Sequence, residues 1–172
     1  MKHVFISVLS LFLFYNVASA QKVDTTAAPE ESTFYDGPAN TLFAPGFILK
    51  TRSKNYYQIG GKLKQQNRMA NPPVKVYKVK RKYFLIVQGL GEPLPANKLQ
   101  DVIESKIDGD FRGWDGTTTF KLLNGDTWVQ DEIKTLFNNS IFRPTVIIYR
   151  DSDGTFKMKV DGVDETVQVK KN

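Results

Sequence analysis

The sequence predicts a mainly β protein of two tandem small barrels, with a signal peptide ahead of them and a short linking helix between them. Three observations carry that expectation. Phe111 to Gln130 reads as two apolar-rich runs about Asn124-Gly125. Asn-Gly between such runs is a strong hairpin signal, because a type I′ turn needs two consecutive residues at positive φ. Similar short runs, punctuated by Gly, Asp and Asn, recur along the chain. The chain also resembles itself: a shift of 72 places Asp36-Gly37 on Asp108-Gly109, Gln58 on Gln130, Lys62 on Lys134, Asn67 on Asn139, Pro72 on Pro144, Val74 on Val146 and Tyr77 on Tyr149. A shift of 73 then carries Val87 onto Val160, Gly89 onto Gly162 and Glu92 onto Glu165. Within this alignment Ile48 stands on Phe120, Tyr56 on Trp128 and Val76 on Ile148.

At the N-terminus, Lys2 and His3 precede an apolar run from Val4 to Val17, which ends in Ala18-Ser19-Ala20. A membrane span needs about 20 apolar residues, so residues 1–20 read as a cleaved secretory signal peptide. The mature chain is expected to be soluble, and periplasmic or secreted. His3 is the only histidine and there is no cysteine. Removal of the signal therefore leaves no imidazole or thiol, which argues against a zinc site and excludes Ser-His-Asp and Cys-His catalysis and any disulfide. No cofactor or metal is expected. The polar stretch 21–33 reads as a flexible leader.

The first barrel is placed at 34–96, with strands near Phe47–Thr51, Asn55–Ile59, Pro73–Val79 and Lys82–Gln88. The second, 108–172, has strands near Asp110–Trp114, Thr118–Leu123, Thr127–Asp131, Thr145–Arg150, Thr155–Val160 and Thr166–Lys170. Asp151 to Gly154 and Asp161-Gly162 supply the turns. Between the barrels, 97–107 is expected to be a helix, because Leu99, Val102, Ile103 and Ile107 follow i, i+3, i+4, i+8 spacing and Asn97 stands at its cap. Asp131 to Ile141 has similar spacing and is expected to form a helical turn; its partner, 60–70, is polar.

One stretch, Asp108-Gly109-x-Phe111-x-Gly113-Trp114 followed by Phe120-x-Leu122-x-Asn124-Gly125-x-x-Trp128-x-Gln130, resembles a module of uncharacterised exported bacterial proteins with SH3-like barrels. The resemblance implies an SH3-like fold for each copy and contacts with other molecules through loops. It implies no catalytic residues. The first copy departs from it, with Asn40-Thr41-Leu42 in place of the Gly-Trp and Ser53-Lys54 in place of the Asn-Gly.

Carboxylates are the one acid/base device left. Asp108, Asp110 and Asp115 cluster around one strand, and the favoured reading is turn formation beside Gly rather than paired catalysis. Asp151, Asp153 and Gly154 resemble the opening of a calcium loop, yet the later glutamate is missing, so a hairpin turn is expected. Trp128 is assigned to the core, and Trp114 is a candidate contact face.

Charge separates the copies. Residues 34–96 hold eleven Lys and Arg against two Asp and Glu, a net +9, whereas 106–172 hold ten against eleven, a net −1. The candidate binding residues are Lys54, Tyr56, Tyr57, Lys75, Tyr77, Lys78, Lys80, Arg81 and Lys82, with Trp114 in the second copy. Cations interleaved with rings suit an anionic polymer, either a cell-wall glycan, lipopolysaccharide or nucleic acid, and the favoured alternative is that the lysines only keep strand edges soluble and unpaired; a protein partner is a further expectation. The expected function is that of an exported, non-enzymatic binding protein. The alternatives are an immunity or inhibitor protein against a secreted toxin, and a carboxylate-only glycan hydrolase. A polymer binder requires a positive groove, an inhibitor a projecting loop, and a hydrolase two acids in one cleft.

Overall fold

The computed structural model describes residues 23–62 and 64–172; the expected signal peptide, residues 1–20, lies outside them. The described chain is mainly β, with sixteen strands and no helix among the described residues. In the first half these are β1 (Glu31–Phe34), β2 (Leu42–Phe43), β3 (Ile48–Lys50), β4 (Tyr56–Ile59), β5 (Gln65–Gln66), β6 (Pro73–Val79), β7 (Lys82–Val87) and β8 (Leu94–Lys98). The second half has β9 (Gln100–Lys106), β10 (Asp110–Trp114), β11 (Thr119–Lys121), β12 (Thr127–Gln130), β13 (Leu136–Phe142), β14 (Thr145–Arg150), β15 (Phe156–Val160) and β16 (Thr166–Lys171).

The halves share one connectivity. One sheet runs β1-β6-β7-β8-β4-β3 and the other β9-β14-β15-β16-β12-β11, with the two-stranded pairs β2-β5 and β10-β13 at matching places in the chain. Each sheet curls until its edge strands meet, through a bridge between Tyr35 and Thr51 in one half and Ile107 and Leu122 in the other. This barrel-like closure covers edges that an open sheet would expose. Alternate residues point inward. Leu49, Tyr57, Ile59, Val74, Val76 and Leu85 are among those filling the first core, and Phe111, Trp114, Phe120, Trp128, Ile148 and Met158 the second.

Three expectations are corrected. The leader is shorter than its polarity suggests, because β1 pairs with β6 from Glu31↔Val76 to Phe34↔Pro73, and Val23 is buried against Tyr77 and Phe84. What points inward from β1 is polar. Glu31 accepts hydrogen bonds from the Thr51 hydroxyl at 3.1 Å, the Asn55 amide at 2.9 Å and the Tyr57 hydroxyl at 2.7 Å.

The linking helix is absent; β8 passes through Leu99 directly into β9. Its apolar residues serve two clusters: Leu99 and Val102 pack between the halves, whereas Ile103 and Ile107 pack into the second core. Asp101, at φ 49°, stands at the register shift that lets one strand do this and mimic a helical period. The helical turn expected at 131–141 is instead a bend followed by β13, which pairs with β10. Gly113 makes that pairing possible. At φ 112° it lies so close to β13 that a Cβ there would collide with the Leu136 carbonyl oxygen.

The strand registers also shift the alignment of the halves by one residue in one hairpin. Leu49 faces Tyr57 and Phe120 faces Trp128, so Tyr57, not Tyr56, occupies the place of Trp128. A one-residue slip moves a side chain to the opposite face. Lys54, at φ 63°, takes the left-handed position that Gly125 takes at φ 89°, and each donates its N–H back across the turn, to Thr51 and Leu122 respectively.

The halves are clamped together. Ile48, Tyr56 and Tyr149 form a buried cluster with Leu99, Val102 and Ile147 against it. At its margin Glu104 accepts from Lys50 Nζ at 2.6 Å and from the Tyr56 hydroxyl at 2.5 Å, and Gln58 donates to the Tyr149 hydroxyl at 3.1 Å.

Candidate functional site

The structure divides the expected binding residues into cations that reach solvent and rings that do not. Lys75, Lys78, Lys80, Arg81 and Lys82 are exposed on β6, β7 and the turn between them, with Lys80 at φ 58° making that turn. Lys54 is exposed but lies 3.6 Å from Asp36. The rings are structural. Tyr57 is 1% exposed and Tyr77 5%, and Tyr56 is buried in the cluster between the halves. Trp114 is buried in the second core at 2% exposure, which corrects its reading as a contact face; Phe111 packs beside it. None of these rings has a free face for stacking. The hydroxyls of Tyr56 and Tyr57 are pushed above the ordinary phenol range, first by burial and then by donating to Glu104 and Glu31.

Of the eleven cations in 34–96, only Lys50 and Lys54 have a carboxylate within 4.0 Å among the described residues. In 106–172, Arg112, Lys134, Arg143, Arg150, Lys170 and Lys171 do, six of ten. Lys98 and Lys171 make the difference concrete, since they face Tyr57 and Trp128, which hold equivalent places. Lys171 reaches Asp126 at 2.7 Å. The corresponding turn residue in the first half is Asn55, whose amide donates to Glu31, and Lys98 lies over the Tyr57 ring at 6.0 Å with no acid partner.

Beside the basic hairpin, a groove of about 430 Å³ runs between the halves. Gln58, Arg81, Tyr83, Asn97 and Lys98 line it from the first half, and Arg150, Asp151 and Ser152 from the second, with Leu99 and Gln100 at the crossover. Arg150 is held in place, with Nε 2.6 Å from Asp101, Nη1 3.1 Å from the Gly154 carbonyl, and its guanidinium 4.5 Å from the Phe156 ring centre. Arg81 and Lys98 are therefore the groove's cations without an acid. Sequence reading missed Lys98, Asn97 and Gln100 because they fell at or inside the expected linking helix. Carrying the shift of 73 onward would have placed Lys98 on Lys171.

The acid cluster is spent on structure. Asp108 and Asp110 line one shallow cleft of about 340 Å³, but Asp108 sits 3.3 Å from Arg143 and Asp110 3.7 Å from Arg112. Asp115 accepts from the Thr117 N–H and from the Thr118 and Thr117 hydroxyls, which hold its carboxyl below the ordinary range. Asp153 likewise binds the Thr155 hydroxyl and N–H across its hairpin turn. Among the comparisons with known proteins, the chain matches no protein-family model, no curated protein and no solved structure.

Proposed function

We propose that the chain is an exported, non-enzymatic binding protein of two SH3-like barrels related by duplication, and that the first half takes up an anionic polymer. The observation that carries this reading is the set of cations in 34–96 that stand without carboxylate partners. Surface pairing adds little stability, so what the unpaired cations of 34–96 have over the six paired ones of 106–172 is availability to a polyanion. Counterion release from a bound polyanion rewards cations left free. Matching strand order, matching closure bridges and the left-handed turn position that Lys54 and Gly125 share support the duplication. The groove and the exposed Lys78 to Lys82 hairpin lie side by side, so one polymer can follow both.

The test replaces Lys78, Lys80, Arg81 and Lys82 with Ser and measures elution from a heparin column. The wild type is expected to elute at clearly higher salt than the variant, and Asp151→Ser with Asp153→Ser at no lower salt than the wild type. Elution of wild type and four-Ser variant at the same low salt would end the polymer reading. A second reading, contact with a secreted protein, is favoured by one observation: Phe137 and Phe142 on β13 and Ile133 before it are 87%, 70% and 104% exposed.

A further inference from the structure

We propose that the groove between the halves is a subsite for a carboxylated sugar residue; this rests on the polymer-binding reading and narrows its ligand to an acidic glycan. Three features of the groove point the same way. Its volume, about 430 Å³, lies in the range of sites that take small ligands. Its free charge is limited: Arg81 and Lys98 have no acid, and Arg150 is already held by Asp101. Its remaining polar groups are mostly neutral, with Asn97, Gln100 and Ser152 offering donors and acceptors, while Asp151 adds an acceptor.

That mixture discriminates between polyanions. A DNA strand brings charge to the cleft but almost no hydroxyl that could donate to Asp151, so that acid would face phosphate without a hydrogen bond. A uronate residue brings one carboxylate, which a guanidinium takes by two parallel hydrogen bonds, together with several hydroxyls that an amide or a carboxylate can bind. The walls are set in advance. Lys50 and Tyr56 on Glu104, and Gln58 on Tyr149, fix the halves on either side, so little ordering is needed when a ligand enters.

Calorimetric titration with tri-galacturonic acid, its methyl ester and a thymidine oligonucleotide of equal charge tests the inference. The free acid is expected to bind, with an affinity loss of about tenfold on esterification and about tenfold for Lys98→Gln, as for one charge-assisted hydrogen bond. Gln100→Glu, at an exposed position, introduces a negative charge into the groove without disturbing the core and is expected to weaken the acid similarly. Lys121→Gln, exposed on the second half and outside the groove, is expected to leave it unchanged. Equal binding of acid and ester, tighter binding of the oligonucleotide, or no effect of either groove variant would overturn the subsite. If heparin retention still depended on Lys78, Lys80, Arg81 and Lys82 in that case, the subsite alone would fall; if not, the polymer reading would fall with it.

Discussion

The two halves follow the same path and differ in what they do with charge. Position by position, β1 to β8 and β9 to β16 hold the same places in their sheets, and the aromatic pairs Tyr57–Tyr83 and Trp128–Phe156 sit at equivalent registers. Even the cation over the second ring is matched: Lys78 stands 5.3 Å from the Tyr83 ring centre and Arg150 4.5 Å from that of Phe156. Arg150 also has Asp101, whereas Lys78 has no acid. Strand order and core packing are thus common to both halves; the turns differ, Lys80-Arg81 between β6 and β7 against Asp151 to Thr155 between β14 and β15, and so do the cations that are neutralised. Features that a strand order demands recur in both; features found in one half only need another explanation, and polymer binding is the one we propose.

The largest expected effect concerns the second core. Trp114→Ala and Trp128→Ala are each expected to cost about 3–5 kcal/mol in denaturant unfolding, because both indoles are buried. A small cost for Trp114 alone would return it to the surface and break the match between core and fold. Both ring N–H groups are buried without partners among the described residues, so Trp→Phe at either position is expected to cost less than Trp→Ala.

A sharper contrast lies between Gly113 in β10 and Gly109 just before that strand. Gly113→Ala combines a positive φ with a collision against the Leu136 carbonyl and is expected to cost at least about 1–3 kcal/mol. Gly109→Ala has open space around it at φ 106°, so only the backbone penalty, about 1 kcal/mol, is expected. Equal costs in thermal unfolding would mean that β13 does not press on Gly113.

The clamp between the halves is expected to weaken in acid. Burial alone would raise the Glu104 carboxyl, but hydrogen bonds from Lys50 and Tyr56 and the charges of Lys50 and Lys54 outweigh it and leave it below its ordinary value of 4.5. A depressed carboxyl contributes stability above its unfolded value and loses it as pH falls through the folded one. Unfolding midpoints measured from about pH 6 down to about pH 3 should fall, and the fall should be shallower in Glu104→Gln. Asp115, Asp126, Asp131 and Asp153 are also depressed, so some acid loss should persist in that variant.

Much of this fold is legible where a strand alternates cleanly. Pro73–Val79 and Thr145–Arg150 are read to their observed limits, and Asn124-Gly125 marks its turn. Legibility fails where one strand serves two environments, as β9 does around Asp101, or where the inward groups are polar, as Glu31 and Thr33 are in β1. The identity of Gln58 with Gln130 drew the alignment one residue off, although Gln58 reaches Tyr149 while Gln130 bonds Gly116, Glu132 and Lys134. The basic hairpin is visible as a run of charge. The groove is not, since Arg81, Lys98 and Asp151 meet only after the halves close on each other.

A smaller change converts one half toward the other. Asp126→Asn removes the partner of Lys171 and reproduces the Asn55–Lys98 arrangement. Stability is expected to move little, because Lys171 is exposed and Asp126 only half-buried, and heparin retention is expected to rise slightly. No change in retention would mean that pairing does not govern which cations are available.

Two variants with the same reduction in net charge decide whether unpaired or total charge binds polymer. One replaces Lys78, Lys80, Arg81 and Lys82 with Ser; the other replaces Arg112, Arg143, Lys170 and Lys171, all ion-paired in the second half. Affinity for heparin or single-stranded DNA is measured against salt. The first variant is expected to flatten the log–log slope, by roughly 0.7 for each phosphate of single-stranded DNA that is no longer neutralised, and the second to leave it near that of the wild type. Equal flattening in both would show that only net charge matters and would contradict the account.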